Sequence, residues 1–287
     1  MDKWRCPKIM GVLNVTPDSF YDGGCYFGID VAVAHAEQMV EEGADIIDIG
    51  GESTRPKQVY DSISGKPKVC SVSLEEELRR VIPIIEVITK RFPEVPVSID
   101  TVKAEVARQA VTAGASYIND ISGFRDDAMR RVAVETGVKI CVVHMLGTPD
   151  TMQESPHYPN GVVKTLIDWF EEQTKLLIRE GIRREQIIID PGIGFGKTVA
   201  DNIEILQNLH KLRALGFPVL VGVSRKSFMM KILKKPSEEL LSATLSINTL
   251  LSIQGVEILR VHDVAAHSDM MRLMEMMHMK KAPQTRD

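Results

Sequence analysis

The first predicted strand reads Lys8-Ile-Met-Gly-Val-Leu-Asn14, a short apolar run that ends abruptly in a polar residue. Seven more runs of this kind follow along the chain: Asp45–Glu52, Val95–Asp100, Ala115–Asp120, Val138–His144, Gln186–Asp190, Pro218–Lys226 and Val256–Asp263. They are rich in Val and Ile and do not alternate between polar and apolar residues, which is typical of strands buried on both faces. Their polar residues lie at the C-terminal ends. If the strands are parallel, these side chains converge on one rim of the sheet.

Segments with helical spacing separate the predicted strands, so strand and helix alternate eight times. This pattern, over roughly 250 residues, predicts an α/β fold with a single closed (β/α)8 barrel, the TIM barrel. The alternative is an open doubly wound sheet, which has fewer strands and a glycine-rich dinucleotide loop after its first strand. Here Asn14–Phe20 follows the first strand and contains no GxGxxG motif. We predict one barrel domain over residues 1–279 and a disordered tail over 280–287.

Three strand-to-helix connections are longer than the usual few residues. They are the first, second and fifth loops on the C-terminal face, at Asn14–Gly28, Thr54–Ser73 and Met145–Gly161. Long loops on that face of a barrel often bind substrate or act as lids.

The composition excludes several classes of function. The chain has 287 residues, 44% of them hydrophobic, a net charge of −4 and a pI near 6.0, so nothing favours binding to nucleic acid or to an anionic membrane. The N-terminus reaches the first strand within a few residues, and no apolar stretch is long enough to span a bilayer. The four cysteines are far apart and show no metal-ligand spacing, which predicts free thiols in a reducing cytoplasm.

Two acidic residues, Asp100 and Asp190, end apolar runs and should lie partly desolvated at the mouth of the barrel. One interpretation is purely structural, a salt bridge to Lys226 or Arg260. The functional interpretation adds Asn119 and predicts a site for a planar heterocycle with an amidine-like edge. Asp190 would accept two N–H bonds, Asn119 would donate and accept, Lys226 would donate, and Arg260 would stack on the ring.

An anion site is predicted where the first and last strands meet. Asn14, Arg260 and His262 end these two strands, which become neighbours when a barrel closes. Arg225 and Lys226 on the seventh strand add positive charge, and barrel enzymes often hold phosphate after strands seven and eight. Asn14 could also contribute an oxygen to Mg²⁺, together with the phosphates of a substrate.

A glycine-rich segment, Gly192–Thr198, resembles a phosphate-binding P-loop but fails the motif. The pattern GxxxxGK[ST] that ends at Lys197-Thr198 requires glycine at position 191, which is Pro191. We therefore interpret the glycines as allowing a sharp turn of the backbone past a ligand, with Phe195 projecting into the pocket. His144 is predicted only to support the rim, and the histidines show no spacing for a catalytic metal cluster.

Seven motifs occur in order along nearly the whole chain: Met10-Gly-Val-Leu-Asn-Val-Thr-Pro-Asp-Ser-Phe20, Gly50-Gly-Glu-Ser-Thr-Arg-Pro56, Ser98-Ile-Asp100, Ile118-Asn-Asp120, Asp190-Pro-Gly-Ile-Gly-Phe-Gly-Lys197, Ser224-Arg-Lys-Ser-Phe228 and Arg260-Val-His-Asp263. Together they resemble the dihydropteroate synthases of folate biosynthesis. The resemblance implies a transferase that joins 6-hydroxymethyl-7,8-dihydropterin diphosphate to p-aminobenzoate, with Mg²⁺ as cofactor. It also implies a homodimer and inhibition by sulfonamides, which mimic p-aminobenzoate.

The resemblance also implies a role for each rim residue. The pterin would be held by Asp100, Asn119, Asp190, Lys226 and Arg260. The diphosphate would be held by Asn14 with Mg²⁺, Thr54, Arg260 and His262. The p-aminobenzoate pocket would be formed by Arg55, Pro56, Phe195, Lys226 and Ser227, with Phe20 and Asp22 closing over it. Catalysis would rest chiefly on Asn14, Lys226, Arg260 and His262.

One departure from the family pattern lies in the second loop. The family commonly continues Thr-Arg-Pro with glycine and a short acidic stretch, whereas Lys57 follows here and the loop runs on through Ser62–Lys68 to Ser73. The added basic charge would lie beside the entrance for p-aminobenzoate. Two alternatives remain: a pterin-binding methyltransferase on the same barrel, which needs no diphosphate site, and a pterin-binding homologue without activity.

Overall fold

The computed structural model describes residues 5–15, 27–52, 72–148 and 151–278. Eight parallel strands form one sheet: β1 (Lys8–Asn14), β2 (Ile46–Gly50), β3 (Val97–Asp100), β4 (Tyr117–Asp120), β5 (Lys139–Val143), β6 (Ile187–Asp190), β7 (Leu220–Val221) and β8 (Ile258–Val261). Their order is β6-β5-β4-β3-β2-β1-β8-β7. A parallel bridge between Ile189 and Val219 joins the two outer strands and closes the ring. The predicted barrel is confirmed.

Helices follow the strands around the outside of the barrel: α1 (Phe27–Glu41), α2 (Leu74–Arg91), α3 (Ala104–Thr112), α4 (Asp127–Thr136), α5 (Val162–Arg179), α6 (Val199–Gln207), α7 (Leu209–Arg213), α8 (Ser227–Leu233), α9 (Leu241–Ile253) and α10 (Val264–His278). None of the helices in the described ranges is long and apolar enough to cross a membrane. The tail predicted over 280–287 lies outside the described residues.

Local sequence accounts for helix α2. The Ser73 hydroxyl accepts a hydrogen bond from the Glu76 amide at 3.2 Å and so caps the first turn. That turn carries three glutamates and the last turn carries Lys90 and Arg91, which is the favourable arrangement for the helix dipole. The helix buries Val81, Ile84, Ile85 and Ile88 against the barrel.

Two apolar cores position the site. The larger core fills the space between strands and helices. The smaller one contains inward-facing strand residues: Met10, Ile46, Tyr117, Cys141, Val143, Ile188, Leu220 and Ile258. Side chains alternate across a strand, so residues two positions further on also face inward, one layer closer to the rim. We call this smaller core the apolar plug. The layer above it contains Asp48, Asn119, Asp190 and Arg260.

Strand β7 is much shorter than the predicted run Pro218–Lys226. It pairs with β8 only at Leu220 and Val221, and the chain then turns away with Arg225 in the left-handed region at φ 57°. Ser224, Arg225 and Lys226 therefore lie in a loop, and Lys226 is the residue directly before the first turn of α8.

Candidate active site

A network of three charged side chains and one amide lies above the apolar plug, on β2, β3, β4 and β8. Arg260 donates from Nε to Asp48 Oδ2 at 2.6 Å and from Nη2 to Asp100 Oδ2 at 2.7 Å. Asn119 Nδ2 donates to the same Asp48 oxygen at 3.2 Å. One guanidinium thus bridges two buried carboxylates, and both of its edges are oriented by the barrel.

The network leaves three acceptors unused. Within the described part of the chain, Asp48 Oδ1, Asp100 Oδ1 and Asn119 Oδ1 are buried without a hydrogen-bond partner. A buried polar atom without a partner costs about 1–3 kcal/mol, so three on neighbouring strands are complementary to a ligand rich in N–H groups. The purely structural interpretation, a salt bridge from Asp100 to Arg260, accounts for only one oxygen of each carboxylate.

Burial also shifts the protonation of these acids. Desolvation raises the pKa of Asp100 to about 7; Arg260 opposes the shift, and the nearby Asp48 carboxylate adds to it. Desolvation likewise raises the pKa of Asp190, against the Gly192 amide and the charges of Lys226 and Arg260. N–H donors from a ligand would stabilise the charged form of both carboxyls.

Asp190 ends β6 and is fixed by the turn that follows it. Its Oδ1 atom accepts a hydrogen bond from the Gly192 amide at 2.7 Å. Gly192 has φ 66°, and a Cβ atom there would lie 2.0 Å from the carbonyl oxygen of His144. Only glycine fits such a position. The glycine therefore permits the turn that aims Asp190 at the rim.

Phe195 and Lys226 face each other across the ends of β6 and β7. Lys226 Nζ lies 4.2 Å from the centroid of the Phe195 ring, within cation–π range. Phe195 is half-buried and packs on the inner apolar plug. Ser227 follows Lys226 as the first residue of α8. The structure thus brings together the three described residues that were predicted to line the p-aminobenzoate pocket.

The predicted anion site lies where β8 pairs with β1. In this pairing Met10 lies beside Arg260 and Gly11 beside Val261. His262 Nδ1 lies 3.0 Å from the Ser224 hydroxyl, which orients the imidazole. Asn14 Oδ1 lies against Gly50 of β2, where a Cβ atom would be 3.8 Å from it.

Arg225 was predicted to add positive charge to the anion site, but the structure pairs it with an acid. Its Nη2 atom donates to Asp263 Oδ1 at 2.6 Å, so an adjacent carboxylate offsets its charge. Five other predicted residues, Phe20, Asp22, Thr54, Arg55 and Pro56, lie outside the described residues, as does the inserted segment Lys57–Lys68. Their roles stay predictions.

Asp48 is the main site residue that the sequence analysis missed. It is fully buried in the middle of β2 and accepts hydrogen bonds from both Arg260 and Asn119. The available signal was a charged residue inside an apolar run, since a carboxylate between strand isoleucines must have a partner.

Lys197 does not behave as a phosphate ligand, in agreement with the rejected P-loop motif. Its buried Nζ atom donates to His144 Nδ1 at 3.2 Å, to the His144 carbonyl at 3.3 Å and to the Phe195 carbonyl at 3.0 Å. Burial lowers the pKa of Lys197 to about 7. Burial, with Lys197 and Arg125 nearby, lowers the pKa of His144 to about 2.

The neutral state of His144 predicts a pH dependence of stability. The unfolded chain binds a proton at His144 below about pH 6.5, whereas the folded chain does not until about pH 2, so stability falls as the pH decreases through 6.5. His144→Asn keeps an acceptor near the Nδ1 position and does not titrate. The advantage of the wild type over this variant in free energy of unfolding should shrink by about 2 kcal/mol between pH 7 and pH 5. Urea titrations at both pH values measure it, and a constant difference would contradict it.

Comparison with known proteins identifies the family. The model of the pterin binding enzyme family matches residues 10–262. The dihydropteroate synthase of Haemophilus influenzae is 43% identical over 268 residues, which cover 93% of this chain and 92% of that protein. The chain belongs to the dihydropteroate synthase family.

Two solved dihydropteroate synthases have the same fold. That of Yersinia pestis, in a complex with a sulfonamide drug, superposes with a TM-score of 0.85 at 39% identity and covers 94% of this chain and 93% of its own. That of Xanthomonas albilineans, in complex with 7,8-dihydropteroate, has a TM-score of 0.83 at 37% identity. The match covers 96% of this chain and 95% of that chain. The closed barrel described above is therefore the fold of these dihydropteroate synthases.

Proposed function

We propose that this chain makes 7,8-dihydropteroate at the rim of its barrel, by joining 6-hydroxymethyl-7,8-dihydropterin diphosphate to p-aminobenzoate. Membership of the dihydropteroate synthase family supports the reaction. One observation carries the location of the pterin: the three buried acceptor oxygens without partners on Asp48, Asp100 and Asn119. A pterin presents an amino group and ring N–H groups along one edge, which is the donor set that these oxygens lack.

The pterin would lie on the network with its donor edge toward the acids. Asp100, Asn119 and Asp190 accept from its N–H groups, and Lys226 donates to its carbonyl or a ring nitrogen. Arg260 is held edge-on by Asp48 and Asp100, which leaves a face of the planar guanidinium for stacking on the ring. Asp48 thereby orients the stacking cation and contributes its second oxygen to the floor of the site.

The diphosphate would lie at the junction of β8 and β1, near Arg260, His262 and Asn14, with Thr54 from the second loop. The described residues contain no cluster of three or more His, Cys, Asp or Glu side chains that could hold a metal by itself. The donor set fits Mg²⁺, which commonly takes one or two protein oxygens and completes its shell with substrate phosphates and water. Asn14 would supply that oxygen, and Mg²⁺ when bound would neutralise charge on the leaving group.

The geometry supports a displacement at the exocyclic CH2 of the pterin. The C–O bond breaks and its electron pair leaves with the diphosphate, which Arg260 and His262 stabilise. The pterin ring delocalises the positive charge that develops on the CH2. The arylamine nitrogen of p-aminobenzoate, already neutral at pH 7, forms the new C–N bond and releases a proton. It needs positioning more than a general base, and closure by Phe20 and Asp22 would exclude competing water.

The p-aminobenzoate ring would lie against the Phe195 ring and the stem of Lys226, beside Ser227, with Arg55 and Pro56 completing the pocket. The contact of 4.2 Å between Lys226 Nζ and the Phe195 ring supports a single wall formed by these two side chains. We infer that sulfonamides compete for the same pocket, because they share the arylamine shape; the drug complex of the Yersinia relative supports this.

We also propose that two copies associate through α9 and α10, which pack on each other. Their outer faces expose Leu250 (59%), Ile253 (59%), Leu273 (63%) and Met277 (83%), while Met271 and Met274 of the same Met-rich helix lie in the core. Leu250 and Ile253 are three residues apart and Leu273 and Met277 are four apart, so each pair lies on one face of its helix. An exposed apolar face on each of two packed helices supports an interface.

If the chain is a dimer, a single charge placed in the interface should halve its mass in solution. Leu273→Glu should convert a dimer into a monomer in sedimentation velocity, because a carboxylate cannot be buried without a partner. Val134→Glu, at an exposed apolar residue on α4, is the matched control and should leave the mass unchanged. A monomeric wild type would contradict the proposal.

We place the enzyme in the cytoplasm. Cys6 and Cys141, the two cysteines in the described ranges, are free thiols, which suits a reducing compartment.

The deciding assay supplies the pterin diphosphate, p-aminobenzoate and Mg²⁺ to the purified protein. We expect 7,8-dihydropteroate and one diphosphate per turnover, loss of activity with EDTA and recovery with added Mg²⁺. A methyltransferase would leave the pterin diphosphate unchanged, and a homologue without activity would bind it without product. Either result with folded protein would overturn the proposed reaction.

A further inference from the structure

The segment that carries Phe195 is held by an unusual set of side chains. Three successive backbone carbonyls, those of Gly194, Phe195 and Gly196, each accept a hydrogen bond from a side chain. Gln153 Nε2 donates to Gly194 at 2.6 Å, Lys197 Nζ to Phe195 at 3.0 Å and the Tyr158 hydroxyl to Gly196 at 2.8 Å. Two of the three donors come from the connection between β5 and α5.

Lys197 also contacts the start of the connection between β5 and α5. Its Nζ atom also contacts the ring nitrogen and the carbonyl oxygen of His144, the residue directly after β5. The imidazole in turn meets Trp169 of α5 edge-on, with ring centroids 5.0 Å apart. Lys197 is only 3% exposed, so its donors are all directed at protein acceptors.

The two segments also pack backbone against backbone. A Cβ atom at Gly196 would lie 3.0 Å from the carbonyl oxygen and 3.2 Å from the Cα atom of Leu146. On the far side, the Gly194 amide donates to Asn202 Oδ1 of α6 at 2.8 Å. The segment from Gly192 to Lys197 therefore has contacts on both sides, and the Phe195 ring packs between the apolar plug and Lys226.

We propose that the connection between β5 and α5 is a positioning element for the p-aminobenzoate half of the site. Gln153, Tyr158 and Lys197 with His144 fix the backbone of residues 194–196, and this backbone aims Phe195 at Lys226. They are positioning residues that act through Phe195 and touch no substrate themselves. The inference rests on the proposed function, in which Phe195 and Lys226 line the p-aminobenzoate pocket.

The proposal predicts a split between the two substrates. Tyr158→Phe and Gln153→Ala each remove one hydrogen bond, so each should raise KM for p-aminobenzoate about three- to tenfold, and the double variant more. The value of kcat and the calorimetric Kd for 6-hydroxymethyl-7,8-dihydropterin should stay within about twofold of wild type, since the pterin contacts are untouched. Tyr117→Phe, which removes a hydroxyl from the first residue of β4 in the apolar plug, is the matched control and should change none of these values.

The outcomes separate the inference from the function on which it rests. An unchanged KM for p-aminobenzoate in the double variant of an active enzyme overturns the inference alone. Parallel loss of pterin affinity and p-aminobenzoate affinity, with a lower unfolding temperature, also overturns it, because the segment would then only stabilise the fold. A wild type that makes no dihydropteroate overturns the proposed function, and the inference with it.

Discussion

Replacing Arg260 with methionine should reduce kcat/KM for the pterin diphosphate by about 10³-fold or more. The loss combines two effects. The first is removal of the cation that would stabilise the departing diphosphate, and removal of one such donor typically lowers kcat about 10²–10³-fold. The second is removal of the planar face on which the pterin would stack. Steady-state kinetics with both substrates measures it. Arg260→Lys keeps the charge without the bidentate geometry and should lie between the wild type and the methionine variant.

The same substitution should destabilise the ligand-free protein. Methionine leaves the Asp48 and Asp100 carboxylates buried without their common cation, which costs about 3–5 kcal/mol when one partner of a buried pair is removed. The pKa of Asp100 is already raised by burial and rises further without Arg260. A carboxyl with a raised pKa in the folded state binds its proton more tightly there, so the loss should be largest at high pH, shrink as the pH falls toward about 7, and level off below that, where Asp100 is protonated in both proteins.

A double variant separates the two effects. Adding Asp48→Asn to Arg260→Met removes one of the uncompensated charges and should recover part of the stability but none of the activity. Full recovery of activity, or an Arg260→Met variant within about tenfold of wild-type kcat/KM, would contradict the role of Arg260.

The sequence predicts the barrel and most of its rim because both follow from local patterns. Each buried strand is a short apolar run, and the polar residue at its end shows which edge faces the solvent. Asp100, Asn119 and Asp190 are found at strand ends for that reason. The C-terminal end of β7 could not be predicted. Val221 pairs with β8 and Val223 does not, yet both are buried valines in the same apolar run.

The parts that sequence reasoning missed depend on distant partners. Asp48 and Arg260 are 212 positions apart, and only closure of the barrel brings β2 and β8 close enough for the 2.6 Å contact. Arg225 looks like a cation for phosphate until the turn after β7 places it beside Asp263. Lys197 fails as a P-loop lysine by motif, but its actual acceptors belong to the end of β5 and to its own loop.

Replacing Asp190 with asparagine should weaken pterin binding by about 10- to 150-fold, the range for loss of a hydrogen bond to a charged group. The Oδ1 atom of Asp190 accepts from the Gly192 amide at 2.7 Å, which leaves the rest of the carboxylate for the pterin. If the amide oxygen of asparagine keeps the bond to Gly192, its NH2 group faces the N–H groups of the pterin, donor against donor. Calorimetric titration with 6-hydroxymethyl-7,8-dihydropterin measures the change.

A charge-matched control makes that result specific. Asp201→Asn removes the same charge eleven positions further on, where the carboxylate only completes the cap of α6 with Thr198, and should leave the pterin Kd unchanged. Burial raises the pKa of Asp190, and an N–H donor favours its ionised form, so wild-type affinity should fall as the pH drops toward that pKa. The asparagine variant should lose this part of the pH dependence. A pterin Kd within about threefold of wild type, with the pH profile intact, would show that Asp190 shapes the turn at Gly192 and does not bind the pterin.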